Sequence, residues 1–99
     1  MKIVNKELIE KFAAKHADAA GALNRWIAQI ERSAFSKHSE LKAAFPSVDY
    51  IGKGRYVFNI KGNDYRLVAV VVFVSGLLTV CFIGAHAEYS RVDCLTVIQ

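Results

Sequence analysis

Hydrophobic and polar positions follow two different periods along this chain. Up to residue 45 the apolar side chains return every three or four residues, as on one face of a helix. From residue 55 they alternate or run on without a break, as strands do. Leu8, Ile9, Phe12, Ala13 and His16 predict a helix over residues 6–16, with Asn5 as N-cap and Glu7 in the first turn, where the helix dipole favours an anion. Asp18 is expected to cap a second helix. Leu23, Trp26, Ile27 and Ile30 lie on its buried stripe at i, i+3, i+4 and i+7, and Arg25, Gln29 and Arg32 lie outside it. Trp26 reads as a packing residue. Two such helices form a hairpin that needs a sheet to cover, and Ile3 and Val4 could supply an edge strand to it.

Between the two regimes the pattern weakens. Ser39 opens a short helical turn, LKAAF, which Pro46 ends by disfavouring helix in the residue before it. Lys37, His38 and Lys42 read as exposed members of this connection. Val48–Ile51 is expected as a short strand and Gly52-Lys53-Gly54 as a turn. From Arg55 to Lys61 the residues alternate, with Tyr56, Phe58 and Ile60 on one face and Arg55, Val57, Asn59 and Lys61 on the other. Gly62-Asn63 then makes a hairpin.

The segment from Leu67 to Gly84 has 18 residues and no charge, long enough on hydropathy alone for a membrane-crossing helix. Six of the 18 are Val, which loses rotamer freedom in a helix, and Ser75-Gly76 interrupts the run where a hairpin would turn. Two strands covered on both faces is therefore the preferred reading. Strands 55–61, 64–74 and 77–83 form an antiparallel meander, followed by a short helix over His86–Arg91 that sets His86 and Tyr89 on one face. The tail from Val92 to Gln99 is apolar enough to pack back. The fold class is α+β: two N-terminal helices on an antiparallel meander, with a short C-terminal helix.

Ninety-nine residues fit one domain, residues 1–99, with a single core. MKIVNKELIEKF turns charged too soon for a secretory leader, so the expected compartment is the cytoplasm. Cys81 and Cys94 lack metal-ligand spacing and read as reduced and structural. The net charge of +4 is unevenly spread: Lys and Arg outnumber Asp and Glu six to four over residues 1–36 and six to three over 37–66, and fall behind one to two over 67–99. A positive excess ahead of the apolar run fits a phosphate backbone or an acidic partner.

No glycine-rich phosphate loop, paired zinc spacing or EF-hand pattern occurs, and neither metal nor cofactor is expected. Instead, cations gather before the meander (Lys53, Arg55, Lys61, Arg66) and two titratable groups follow it (His86, Tyr89). Arg66 stands at the mouth of a buried strand, so it must meet an internal carboxylate such as Asp64 or Glu88, or a bound phosphate. A metal-free ribonuclease needs little more: a proton acceptor, a proton donor and cations around a crowded phosphate. His86 has the ordinary pKa for such work, against the plainer role of a capping or core histidine. A lysine among other cations could have its pKa lowered and act as base, and Tyr89 could donate a proton or stack.

The segments VFNIKGNDYRLV (57–68) and FIGAHAEY (82–89), with LKAAFPS (41–47) and the two-helix start, resemble the HigB-type toxins of bacterial toxin–antitoxin pairs, within the RelE-like superfamily. The resemblance implies a ribosome-dependent mRNA interferase that cuts mRNA in the A site without metal. It also implies a HigA-type helix-turn-helix antitoxin as partner, contact with DNA only through that antitoxin, and no membrane. Carried over residue by residue, Arg66 is the main phosphate clamp, Lys61 stands beside it, and His86 and Tyr89 take part in proton transfer or hold the mRNA. Lys37, Lys42, Lys53, Arg55 and Arg91 are the further candidates for contact with RNA or the ribosome. The chain departs from the pattern at Cys81, where such toxins carry Lys or Arg, at Asp64, where a basic residue is common, and at Ala85, where a capping Thr is usual. A second reading follows from these departures: a binding protein that keeps the fold and the antitoxin but cleaves weakly.

Overall fold

The computed structural model describes residues 1–85, so the helix expected over 86–91 and the packing of the 92–99 tail lie outside the described residues. The order is β1 (Lys2–Val4), α1 (Lys6–Lys15), a single 3₁₀ turn (Ala17–Ala19), α2 (Ala20–Arg32), α3 (His38–Ala44), β2 (Asp49–Gly52), β3 (Arg55–Ile60), β4 (Tyr65–Val72) and β5 (Leu77–Ala85). The strands form one sheet in the order β1-β5-β4-β3-β2. The expected meander is present as β3, β4 and β5, each antiparallel to the next. The first strand pairs with the last, and it does so in parallel, Ile3 opposite Leu78. The apolar run is therefore sheet, and among the described residues no helix is long and apolar enough to cross a membrane.

The helix boundaries correct the sequence reading in three places. Asn5 does not cap α1 through its side chain: its backbone is left-handed (φ 67°) and its Nδ2 donates to the Val80 carbonyl at 2.9 Å, tying the start of the helix to β5. Asp18 caps nothing; it lies in the 3₁₀ turn and its carboxylate is engaged elsewhere. α3 opens at His38, one residue before Ser39. What organises that start is Ser36, whose backbone N–H and hydroxyl both donate to Glu40 Oε1, at 2.7 and 3.0 Å. These two bonds hold the Glu40 carboxyl below the ordinary carboxylate range, the N–H having the larger effect.

The helices cover one face of the sheet. Ile9, Leu23, Trp26, Ile30 and Leu41 pack against Phe58, Leu67, Leu78 and Val80, all essentially removed from solvent. Phe58 meets Trp26 and Phe45 edge-on, with ring centroids 5.3 and 5.2 Å apart. Trp26 is a core residue, as its spacing predicts, though its buried Nε1 has no hydrogen-bond partner among the described residues, which costs about 1–3 kcal/mol.

Strand alternation sends Arg55, Val57 and Asn59 of β3, with Arg66, Val68 and Val70 of β4, to the opposite face. There Val57, Val68 and Cys81 form a second, smaller buried cluster, joined by Ile51, Val70 and Phe82. A bulge in β5 brings Phe82 to the same face as Cys81: Val68 pairs with Phe82 and Ala69 with Val80, leaving Cys81 as the extra residue. Two covered faces and one bulge explain why this stretch reads as an unbroken apolar run.

Candidate functional site

The β3–β4 hairpin, residues 61–64, is closed by an Asp64 N–H to Lys61 carbonyl bond of 3.2 Å. Gly62 takes the left-handed backbone it favours (φ 65°), but Lys61 takes it too (φ 52°), a conformation that costs a side-chain-bearing residue about 1 kcal/mol. The Lys61 ammonium then reaches back across the helical layer. Nζ lies 2.9 Å from Asp18 Oδ2 and 3.9 Å from Asp64 Oδ2. The Tyr65 hydroxyl donates to the same Asp18 carboxylate, at 2.8 and 3.0 Å from its two oxygens.

This cluster settles the state of each member. Hydrogen bonds from Lys61 and then Tyr65 hold the Asp18 carboxyl below its ordinary value. The Asp18 bond likewise pushes the Lys61 ammonium up, with Asp18 and Asp64 adding charge attraction, and pushes the Tyr65 phenol up. The sequence reading allowed a lysine among cations to act as base; the neighbours of Lys61 are instead carboxylates, which favour its charged form. Beneath the pair, the Phe12 and His16 rings stack at 4.1 Å and both meet Tyr65 edge-on, at 5.3 and 5.6 Å. The end of α1 is thereby held against the start of β4.

Arg66 follows Tyr65 and turns to the other face. It sits in register between Asn59 of β3 and Gly84 of β5, half-buried, with Nη1 donating to the Asn63 carbonyl at 3.3 Å. One residue further, Ala85 pairs with Tyr65 as the last described rung of β5. The structure thus brings Arg66 beside the end of β5, while Lys61, though on the same hairpin, is drawn to the helix side by Asp18. His86, Glu88, Tyr89 and Arg91 lie outside the described residues.

The remaining predicted contacts lie apart from this hairpin. Arg55 shares the face of Arg66 but stands opposite Val70, four rungs along the ladder; it is only 5% exposed, and its Nη1 donates to the Lys53 carbonyl at 3.4 Å. Lys53 is exposed in the turn before β3, again with a left-handed backbone (φ 55°). Lys37 is exposed ahead of α3, and Lys42 is exposed with its Nζ on the Val48 carbonyl at 2.7 Å. Among the described residues no group of three or more His, Cys, Asp or Glu side chains is placed to hold a metal ion.

Sequence reasoning missed Asp18 and Tyr65 as the partners that fix Lys61. No local signal could have found them, since they lie 43 residues before Lys61 in the first case and on the far side of the hairpin in the second. It also passed over Lys11 and Lys15, which with Leu8, Phe12 and Ile83 line a hollow of about 160 Å³ near the end of β5.

Comparison with known proteins agrees with this architecture. Residues 19–92 match the family model described as HigB_toxin, RelE-like toxic component of a toxin-antitoxin system. The mRNA interferase HigB of Escherichia coli O6:H1 is 35% identical over 94 residues, covering 92% of this chain and 90% of that protein. The mRNA interferase toxin HigB of Escherichia coli K12 and the mRNA interferase HigB of Shigella flexneri are each 39% identical over 92 residues, covering 90% of this chain and 88% of theirs. With an α+β layer of helices on a mainly antiparallel five-stranded sheet, and a match that runs over most of its length, the chain belongs to the HigB toxin family of RelE-like toxin–antitoxin components.

Proposed function

We propose that this single-domain protein is a ribosome-dependent mRNA interferase that acts in the cytoplasm, cuts mRNA in the A site without metal, and is held inactive by a helix-turn-helix antitoxin through which alone it meets DNA. The observation that carries the reading is the pairing of Arg66 with Gly84, because His86 stands two residues after Gly84 in the sequence. The relatives' shared name, mRNA interferase, supports the same activity.

In the proposed reaction the 2′-oxygen of the nucleotide 5′ to the cut attacks the adjacent phosphorus, giving up its proton to a base. A 2′,3′-cyclic phosphate forms as the bond to the 5′-oxygen breaks, and that oxygen takes a proton from an acid. Negative charge builds on the non-bridging oxygens, where the Arg66 guanidinium can offer two parallel N–H donors. His86 and Tyr89 are the groups assigned to proton transfer or to holding the mRNA. Lys61, fixed as a cation by Asp18, contributes charge near the hairpin and does not take the proton. Lys37, Lys42, Lys53 and Arg91 are assigned to binding RNA or the ribosome, whereas the burial of Arg55 speaks against the contact its sequence position suggests.

Induction of the chain without its partner should arrest growth and generate new 5′ ends in transcripts, and Arg66→Ala or His86→Ala should abolish both. If neither substitution does, the site assignment is wrong. A second reading, a translation-blocking binder with little cleavage, draws on Cys81: the position where related toxins carry a cation here holds a thiol buried with Val57 and Val68. Growth arrest without new 5′ ends would select that reading.

A further inference from the structure

At the end of the β3–β4 ladder away from Arg66 lies a cavity of about 490 Å³, lined by His38, Tyr50, Gly54, Tyr56, Val71 and Phe73. We propose that this cavity is a stacking site for one unpaired base of a single-stranded RNA, separate from the phosphate site at the other end of the sheet.

Four of the six lining side chains are aromatic rings or an imidazole, and they are arranged as walls. His38 stacks on Tyr56 with centroids 5.7 Å apart, Tyr50 meets Tyr56 at 5.0 Å, and Phe73 stands edge-on to Tyr56 at 6.3 Å. Tyr50 is 53% exposed and so offers a ring to an incoming base. Gly54 keeps one wall bare: a Cβ there would lie 3.4 Å from the Val71 carbonyl oxygen. The polar groups can read a base edge. His38 Nδ1 is 2.9 Å from the Tyr56 hydroxyl, and whichever of the two holds the shared proton, His38 Nε2 is left to donate or accept.

Charge distinguishes an RNA occupant from a peptide. Lys37, exposed, precedes His38, and Lys53, exposed, sits between the two glycines of the turn that ends in Gly54. Of the nearby carboxylates, Asp49 pairs with Val57 on the opposite face of the sheet, and Glu40 stays ionised but is bonded back to Ser36, just ahead of its own helix. Aromatic walls rimmed by cations are the features that hold single-stranded nucleic acid without strict sequence preference.

The inference rests on the reading of this protein as RNA-directed, and its test separates the two. Fluorescence anisotropy is measured with a labelled 12-nucleotide RNA made uncleavable by 2′-O-methylation, and with an abasic strand of equal length and charge. Tyr50→Ala is expected to weaken the 12-mer on the order of tenfold and to leave the abasic strand unchanged, while Tyr50→Phe, which keeps the ring, binds as the original does. Equal binding of both strands by the unaltered protein overturns the inference, as does an equal loss on both strands in Tyr50→Ala. So does Tyr50→Ala weakening capture of the purified antitoxin with RNA binding intact, which would make the cavity a protein-docking site. Cleavage on the ribosome by Arg66→Ala, measured separately, decides the phosphate site whatever the cavity does.

Discussion

Tyr65 and Arg66 are neighbours on β4, yet they serve opposite faces of the sheet, and the two faces are built on different principles. On the helix side, large apolar residues from α1, α2 and α3 fill the space, and the polar groups there are consumed within the protein: Lys61, Asp18 and Tyr65 satisfy one another. On the other side the buried cluster is small, built from Val57, Val68 and Cys81, and the strands present Arg55, Asn59 and Arg66. The contrast separates two cations that look equivalent in sequence. Lys61 joins loop to helix, whereas Arg66 lies on the opposite face beside Gly84, where the proposed function places the phosphate.

The largest way to sharpen this contrast is to cut into the helix-side core one residue from Arg66. Leu67 is fully buried, and Leu67→Ala should cost about 2–5 kcal/mol, read as a lower urea midpoint, while the folded fraction cleaves at its normal rate. Arg66→Ala should do the reverse: about a hundredfold or greater loss of cleavage in a single-turnover assay, with a smaller loss of stability than Leu67→Ala. If both substitutions act only through stability, the two faces are not functionally distinct.

A smaller effect is expected at Gly54, whose left-handed backbone (φ 76°) and carbonyl neighbour disfavour any side chain. Gly54→Ala should cost about 1–2 kcal/mol in chemical denaturation, against almost nothing for Gly62→Asn, since nothing crowds that position and Asn tolerates the conformation.

The smallest effect concerns pH. The Asp18 carboxyl is depressed in the folded state, so its contribution is complete above the ordinary carboxylate value and is lost as pH falls through its lowered folded value, below about pH 4. Lys61 and Tyr65 are raised, so theirs is present below their ordinary values and is lost as pH rises through the folded ones, above about pH 10. Because the pair is exposed, both limbs should be shallow and fade with salt. Asp18→Asn should flatten the acid limb in urea midpoints measured from pH 3 to 6. An unchanged limb would mean that Asp18 does not anchor the hairpin in solution.

Much of this architecture can be read along the chain because its causes are local. Valine-rich alternation gives β3 to β5, the glycine-bearing turns separate them, and apolar residues at helical spacing give α1 and α2. Three features escape such reading for one physical reason, that their partners are far away in sequence. Asp18 has the spacing of an N-cap, and only the folded hairpin brings Lys61 to it. The parallel pairing of β1 with β5 depends on a crossover through the whole chain. The bulge at Cys81 depends on Val68 opposite it, and without it the alternation that follows Val80 would send Phe82 to the helix face. The position of Arg66 at the start of an apolar strand can be read in the sequence, whereas the burial of Arg55 cannot, because an arginine that starts an alternating strand reads as its solvent side.

The most direct measurement is a double-mutant cycle on cleavage of ribosome-bound mRNA, comparing the original chain, Arg66→Ala, His86→Ala and the double variant. If the arginine beside Gly84 and the histidine that follows β5 act on one phosphodiester, each single change should slow cleavage severely and the double variant should be little slower than the slower single. Losses that multiply in full, or cleavage at the original rate by Arg66→Ala, would contradict this account of how the sheet builds its active end.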